Sequence, residues 1–212
     1  MKALQCVELA GPEKLVFSEV DDPKPGSGQV LLEIKAASVN FPDVLMIQGL
    51  YQNQPPMPFI PGAECSGVIS EIGEGVDSCS VGDHVFVMAG TGCFAEKLVV
   101  DAASVTLIPK AMDFPVAAAL PMTYGTSLYS LKQRANLQPG ETLLVLGAAG
   151  GVGLSAVEIG KAMGARVIAA ASSEEKTKIC LKHGADEAFV YPSGDLDSCL
   201  LYTSDAADEV VS

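Results

Sequence analysis

Residues 142–153 read Thr-Leu-Leu-Val-Leu-Gly-Ala-Ala-Gly-Gly-Val-Gly, and this stretch decides the fold. The apolar run Thr142–Leu146 predicts a buried strand, and the periodic apolar residues of Val152–Met163 predict a helix. Glycines between a strand and a helix are typical of a dinucleotide-binding loop, because backbone N–H groups can then approach a pyrophosphate at the helix N-terminus. Gly153 is expected to let the helix pack closely on the sheet. The alternative is a glycine-rich turn without a ligand.

The chain after this loop continues to alternate between strand and helix patterns. The predicted elements are a strand, Arg166–Ala170, a helix, Glu174–His183, and a strand, Ala188–Tyr191. Right-handed crossovers would make the three strands parallel. A doubly wound Rossmann sheet has two such halves, and the sequence predicts only the first of them.

The end of the second predicted strand indicates which dinucleotide is bound. An NAD site places an acidic residue there to accept hydrogen bonds from the ribose 2′-hydroxyl. Here Ser172 and Lys176 follow the strand, so a hydroxyl and an ammonium group are expected to meet the 2′-phosphate of NADPH, and NADH is less favoured. Ser172 and Glu175 are also spaced as a helix capping box, which is the structural alternative for Ser172.

The first hundred residues have a different pattern, with short alternating strands separated by Gly and Pro, as in a β-barrel or β-sandwich. One helix interrupts them: Phe41–Gln48 follows Asn40 at a capping position, has Pro42 in its first turn and ends at Gly49. Two further helices, 114–120 and 123–135, are predicted around Pro121. The predicted strands are Lys2–Glu8, Leu15–Val20, Gln29–Ala36, Cys65–Ile72, Asp83–Met88 and Phe94–Val100.

Composition excludes several classes of protein. The 212 residues are 49% hydrophobic and 18% charged, which is too apolar for a disordered chain. A net charge of −13 argues against unaided binding to nucleic acid or to an anionic membrane surface. The sequence shows neither a membrane-spanning run nor a secretory signal, so we expect a cytoplasmic protein. The six cysteines form no Cys-x-x-Cys pair and are expected to be buried free thiols.

The last residues, 199–212, differ in character from the rest of the chain. Cys199-Leu-Leu-Tyr-Thr-Ser-Asp-Ala-Ala-Asp-Glu209 can be back-translated into a sequence that resembles a transposon-type sequencing adapter. We therefore expect 199–212 to be a non-native tail and residues 1–198 to be part of a longer protein. The alternative is a native C-terminus with little order.

Several short motifs together resemble one family. Pro61-Gly62-Ala-Glu64-x-x-Gly67-Val68, Gly82-Asp83-x-Val85 and the glycine loop are similar to those of the medium-chain dehydrogenase/reductases. Val39-Asn40-Phe41-x-Asp43 and Gln48-Gly49-Leu50-Tyr51 are similar to the zinc-independent NADPH quinone oxidoreductases within that family. The resemblance covers 1–198 and implies an α/β plus β fold, with a GroES-like β-barrel domain over 1–120 and a partial Rossmann domain over 121–198.

The same resemblance bears on metal chemistry. A catalytic zinc takes three protein ligands from Cys, His or carboxylate side chains. The zinc-dependent alcohol dehydrogenases have a Cys where this chain has Asn40 and a His where it has Ala63. With two of three ligands replaced, we expect no metal site and no zinc. His84 and His183, the only histidines, are expected to be structural, His183 favourably placed at the end of a helix.

The resemblance implies hydride transfer from NADPH to an acceptor that is already electrophilic, either a quinone or an α,β-unsaturated carbonyl compound. Asn40, Asp43 and Tyr51 would form the catalytic end of the site, with Asn40 also touching the cofactor. Their structural alternatives are a helix cap, a first-turn acid and a loop aromatic, respectively. The residues expected to bind the cofactor are Asn40, Thr126, Gly147, Ala149, Gly150, Gly151, Val152, Gly153, Ser172, Lys176 and Tyr191.

A second function is open, because crystallin-type members of this family allow an NADPH-binding protein with a structural or regulatory role and no significant turnover. The glycine loop serves both functions equally. The resemblance also implies that the full-length protein is a homodimer that takes a small-molecule substrate. Because half of the Rossmann sheet is missing, we expect the 212-residue chain itself to be inactive or prone to aggregation.

Overall fold

A computed structural model describes residues 1–191 and divides the chain into two compact units, Met1–Met122 and a second that begins at Thr123. The sequence-based boundary lies two residues earlier, between 120 and 121. The expectation of a non-native tail over 199–212 falls outside the described residues.

Antiparallel strands build the first unit. Its five-stranded sheet has the order β6-β3-β4-β5-β7, and β1 and β2 form a separate hairpin. Two isolated bridges pair this N-terminal segment with later parts of the unit: Ala3 with Ala95, and Cys6, just after β1, with Phe59. The strands are β1 Lys2–Gln5, β2 Val16–Glu19, β3 Gln29–Ser38, β4 Glu64–Ile72, β5 His84–Met88, β6 Lys97–Asp101 and β7 Val105–Leu107.

The core of the first unit follows from strand alternation. Val30 and Leu32 on β3, and Val85 and Val87 on β5, are fully buried at alternate positions, and Leu31, where the pairing of β3 with β4 shifts register, is buried as well. Four of the predicted strands, the first, second, fifth and sixth, are shorter in the structure. The predicted Phe94–Val100 becomes β6, Lys97–Asp101, and residues 94–96 bond to the first strand through Leu4 N–H to Phe94 O at 2.8 Å.

Two helices complete the first unit, α1 Phe41–Ile47 and α2 Phe114–Ala118. Each has Pro in its first turn, where a missing N–H costs no hydrogen bond. The predicted helix 123–135 is instead a short α-helix, α3 Thr126–Leu128, between π-helical turns Leu120–Gly125 and Tyr129–Arg134. Periodicity alone does not distinguish these wider turns from an α-helix.

The second unit is the predicted parallel half-sheet. Its elements are β8 Thr142–Leu146, α4 Gly151–Ala162, β9 Arg166–Ala171, α5 Glu174–Lys182 and β10 Glu187–Val190. The strand order is β10-β9-β8 and both pairings are parallel. The prediction of a β domain followed by a partial Rossmann domain is confirmed.

Gly160, not Gly153, brings α4 close to the sheet. A Cβ on Gly160 would lie 2.6 Å from Leu143 Cδ2 and 3.1 Å from Val167 Cγ2, both on the strands. A Cβ on Gly153 would meet the glycine loop itself. The expectation that Gly153 packs on the sheet was therefore wrong, because Gly153 packs on the glycine loop. The first turn of α4 lies over the loop, and the third turn lies over the sheet.

The five cysteines among residues 1–191 are all buried and free, as the sequence predicts, and Cys199 lies outside that range. Burial raises the pKa of the Cys6 and Cys180 thiols. Buried thiols with a raised pKa carry little thiolate and are poor nucleophiles. Within the same range, no helix is both long and apolar enough to cross a membrane.

Candidate functional site

The glycine loop is held in place by backbone hydrogen bonds. Gly147 follows β8 with φ of +61°, a conformation that favours glycine. Ala148 N–H donates to Ala170 O on β9 at 3.0 Å, and Gly150 N–H donates to Gly147 O at 3.0 Å. The loop therefore turns tightly over the carboxyl end of the sheet before α4 begins at Gly151.

Gly153 sets the shape of this loop. A Cβ there would lie 2.4 Å from Gly147 O and 2.7 Å from Ala148 Cα, so only glycine fits without moving the backbone. The first N–H groups of a helix have no acceptor within it, and they carry a partial positive charge. At α4 these are the amides of Gly151, Val152 and Gly153, which can bind the pyrophosphate of a dinucleotide. Ala149 is half-buried in the same turn.

Helix α3 packs against the first turns of α4. Ser127 Oγ donates to Val152 O at 2.9 Å, and Ser155 Oγ donates to Thr123 O at 3.0 Å. Thr126 precedes the buried Ser127 and is itself exposed. Thr126 is therefore the chain neighbour of a residue that contacts the first turn of α4.

Ser172 and Lys176 meet at the end of β9, and the backbone of Tyr191 lies beside them. Lys176 Nζ donates to Ser172 Oγ at 3.1 Å, and both residues are exposed. Tyr191 N–H donates to Ala171 O at 3.1 Å, which brings the tyrosine next to Ser172. An ammonium group and a hydroxyl at one strand end can bind a phosphate monoester.

The capping alternative for Ser172 was wrong. Ser173 occupies the N-cap of α5 and its Oγ accepts from Lys176 N–H at 3.3 Å. Glu174 and Glu175 lie in the first turn, where acidic side chains favour the helix dipole. Ser172 is thus left outside the helix, and its hydroxyl contacts only the Lys176 ammonium among the described side chains.

A buried carboxylate, Glu64, organises the other candidate site, in the first unit. Glu64 is fully buried at the start of β4. Its Oε1 accepts from Ser38 Oγ and, at 2.8 Å, from Asn40 Nδ2. Its Oε2 accepts from Met122 N–H at 2.7 Å. Three donors and no cation therefore satisfy this carboxylate.

Asn40 and Asp43 belong to the same network. The second N–H of Asn40 Nδ2 lies 3.1 Å from Ser38 Oγ, so both amide hydrogens have acceptors within the protein. Asp43 Oδ2 accepts from Asn40 N–H at 2.8 Å, which caps α1. Burial raises the pKa of Asp43, although the Asn40 amide opposes this, and its Oδ1 is buried without a hydrogen-bond partner.

Tyr51 lies at a neighbouring cavity of about 370 Å³ in the first unit, which we call the Tyr51 cavity. Its wall is mostly apolar and includes Met46, Met88 and Met122, and the residues that line it carry no Cys, His, Asp or Glu side chain. Asn40 and Asp43 do not line it, but Pro42 between them does. The predicted catalytic residues thus divide into a pair at the start of α1, the half-buried Asn40 and the buried Asp43, and a tyrosine at the cavity.

Glu64 and Ser38 were missed by the sequence prediction. Glu64 appeared only within the Pro61-Gly62-Ala-Glu64 motif, although a carboxylate followed by the buried apolar residues of β4 needs donors close by. That mismatch of charge and burial could have pointed to Glu64. Its donors could not be found, because Ser38 and Met122 are far away in the chain.

Each histidine of the described chain has one close side-chain neighbour. Among residues 1–191, no group of three His, Cys, Asp or Glu side chains could hold a metal ion. His183 Nδ1 lies 2.6 Å from Glu158 Oε1, and Tyr124 OH donates to the other oxygen of that carboxylate. The His84 ring contacts the Phe114 ring in a tilted arrangement, with ring centroids 4.8 Å apart and an interplanar angle of 42°.

Two protein families match this chain. The alcohol dehydrogenase GroES-like domain matches residues 26–110, and the zinc-binding dehydrogenase family matches residues 151–210. The chain belongs to the medium-chain dehydrogenase/reductases. This medium-chain dehydrogenase/reductase has Asn40 and Ala63 at the positions compared above with zinc ligands.

Named relatives agree with this family. The chain is 38% identical over 196 residues to quinone oxidoreductase-like protein 2 of Rattus norvegicus, covering 92% of this chain and 55% of the relative. It is 35% identical over 212 residues to the synaptic vesicle membrane protein VAT-1 homolog of Homo sapiens, covering 98% and 51%. The medium-chain dehydrogenase/reductase described here thus spans about half the length of the curated relatives it matches.

A solved structure is similar throughout the described fold. The quinone oxidoreductase from Thermus thermophilus, determined also in complex with NADPH, superposes with a TM-score of 0.80 at 36% identity. The match covers 90% of this chain and 60% of that one. This medium-chain dehydrogenase/reductase is therefore similar in fold to an enzyme that has been solved with NADPH.

Proposed function

We propose that the protein reduces a quinone or an α,β-unsaturated carbonyl compound with NADPH and without zinc. The observation that carries the cofactor choice is the Lys176–Ser172 contact at the end of β9, beside a loop built for a pyrophosphate. Bound NADPH supplies the hydride. The name of the rat relative and the NADPH complex of the Thermus enzyme support the same reaction.

The second unit would hold the cofactor through separate groups. The amides of Gly151, Val152 and Gly153 would bind the pyrophosphate, with Gly147, Ala149 and Gly150 shaping the turn. Lys176, Ser172 and Tyr191 would bind the 2′-phosphate, where a positive charge offsets the charge of the phosphate. Thr126 would contact the cofactor beside the start of α4.

The Tyr51 cavity would hold the acceptor. An acceptor that is already electrophilic needs alignment and a hydrogen bond to its developing oxyanion, and Tyr51 can donate that bond. Both N–H groups of Asn40 Nδ2 face Ser38 and Glu64, so Asn40 and Asp43 would act mainly by fixing the start of α1, where Pro42 and Met46 line the cavity.

The full-length protein would be a cytoplasmic homodimer. The acidic charge and the resemblance support this, and the mass measured by sedimentation tests the dimer. The 212-residue chain alone would be inactive, which a comparison with the longer reading frame would reveal.

The test is NADPH oxidation by the full-length protein given an ortho-quinone or an enone. Tyr51→Phe should lower kcat and leave the Kd for NADPH unchanged. Lys176→Met should weaken the binding of NADPH about tenfold, because one charged hydrogen bond to the 2′-phosphate is lost. The binding of NADH, which has no 2′-phosphate, should change little. Lys178→Met, an exposed lysine on the same helix, is the matched control.

Two results would contradict the proposal. Tight NADPH binding without oxidation of any quinone or enone would favour the structural or regulatory role instead. An equal loss of NADPH and NADH affinity in Lys176→Met would show that the 2′-phosphate does not bind at the end of β9.

A further inference from the structure

Two cavities of the first unit share one wall. Met88, Ala89 and Thr91 line the Tyr51 cavity and also line a second cavity of about 450 Å³. We call the second one the Asp101 cavity, because Asp101 lines it together with Gln29 and Ser104. The segment from residue 88 to residue 91 is therefore a partition between the two.

The backbone of this partition is fixed. Ala89 N–H and Gly90 N–H both donate to Ala63 O, at 2.8 and 3.0 Å. Gly90 has φ of +82°, and Gly92 N–H donates to Ile60 O at 2.7 Å. The size of the partition can therefore change only through its side chains. Ala89 has only a methyl group, so its side chain can hardly be shortened.

Met88 is the part that can change. It is the last residue of β5 and faces away from the core, because the preceding Val87 is fully buried in the core. Its side chain is 53% exposed. A thioether on a chain of freely rotating bonds adapts easily to its surroundings, so Met88 can be shortened at little cost in stability.

The two cavities differ in chemistry. The Tyr51 cavity has no charged lining residue and suits a neutral, planar, conjugated ring system. In the Asp101 cavity, Gln29 Nε2 donates to Asp101 Oδ1 at 3.2 Å, and Ser104 adds a hydroxyl. The second cavity therefore suits a hydroxylated side arm.

We propose that Met88 determines the acceptor specificity of this protein. Its side chain confines the acceptor to the Tyr51 cavity, and its truncation admits acceptors whose hydroxylated arm reaches the Asp101 cavity. This inference rests on the proposed function in one respect, namely that the Tyr51 cavity holds the acceptor.

The experiment measures binding, so that it does not depend on turnover. Calorimetric titration of the full-length protein would compare 1-tetralone, an unreactive bicyclic ketone, with 1-tetralone that carries a hydroxypropyl arm. Met88→Ala should raise the affinity for the armed ketone relative to the plain one about tenfold or more, since a few methylene groups gain contacts. Met88→Leu, which conserves volume, should leave that ratio close to the wild-type value.

Met57→Ala is the matched control, because Met57 is 49% exposed and lines neither cavity. An unchanged ratio in Met88→Ala, or an equal rise in Met57→Ala, would overturn the inference, as would failure of both ketones to bind. A raised ratio in a protein that never oxidises NADPH would refute the proposed function and leave the partition standing.

Discussion

Gly153→Ala should damage both the stability of the second unit and its affinity for NADPH. The added Cβ would lie 2.4 Å from Gly147 O, 2.7 Å from Ala148 Cα and 2.8 Å from Ala148 C. Non-bonded carbon atoms are most favourable at about 3.5–4.0 Å. All three neighbours are backbone atoms, and the Ala148 amide is tied to Ala170, so no side chain can move aside.

The size of the effect follows from two opposing contributions. Overpacking of this kind costs about 1–3 kcal/mol, while Ala gains about 1 kcal/mol over Gly inside a helix. A net loss of up to about 2 kcal/mol is expected, which would lower the Tm by up to several degrees. The loop carbonyl must retreat by about 1 Å, and a displacement of that size in a binding loop can weaken function on the order of 100-fold.

Thermal unfolding and NADPH titration measure the two effects. Gly125→Ala is the matched control, because Gly125 has helical angles and nothing within 4 Å of an added Cβ. It should be neutral or slightly stabilising and should bind NADPH normally. If Gly153→Ala keeps both the Tm and the NADPH affinity of the wild type, the tight loop described above is wrong.

Two further predictions concern the buried and titrating carboxylates. Glu64→Gln should lower the free energy of unfolding by about 2–4 kcal/mol in denaturant titrations, because an amide N–H₂ would face donors that now meet a carboxylate. Glu71→Gln, on the exposed part of β4, is the control and should change the free energy of unfolding by less than about 0.5 kcal/mol. An equal loss in both variants would refute the network. Hydrogen bonds from Tyr124 and then His183 hold the pKa of Glu158 below its usual value, so its stabilisation is present at neutral pH and is lost as the pH falls through the acid range. Urea unfolding at roughly pH 5 and pH 3 should therefore show a smaller loss for Tyr124→Phe than for the wild type or Tyr129→Phe, and identical losses would contradict the assignment.

The cofactor half of the site could be predicted from the sequence because its parts are local. The glycine loop, the strand before it and the helix after it are contiguous, and Ser172 and Lys176 are separated by one helical turn. Two structural roles were wrong, since Ser173 rather than Ser172 caps α5, and Gly160 rather than Gly153 adjoins the strands. Neighbouring residues of the same type compete for such roles, and only the backbone angles decide between them.

The acceptor half depends on distant contacts, and the sequence showed less of it. Asn40 was identified by motif, yet its amide hydrogens meet Ser38 and Glu64, which lie on two different strands. The Tyr51 cavity combines residues from α1, from the loop after it and from the end of β5. No local pattern encodes such a surface, so its methionines carried no signal.

Met88 and Glu64 are paired directly across β4 and β5. Glu64 is fully buried and accepts three hydrogen bonds, whereas Met88 is half exposed at a cavity wall. A single codon change at Met88 can therefore alter what the protein accepts while the polar network across the strand pair remains intact. Such a division allows substrate range to diverge among related genes without loss of the fold.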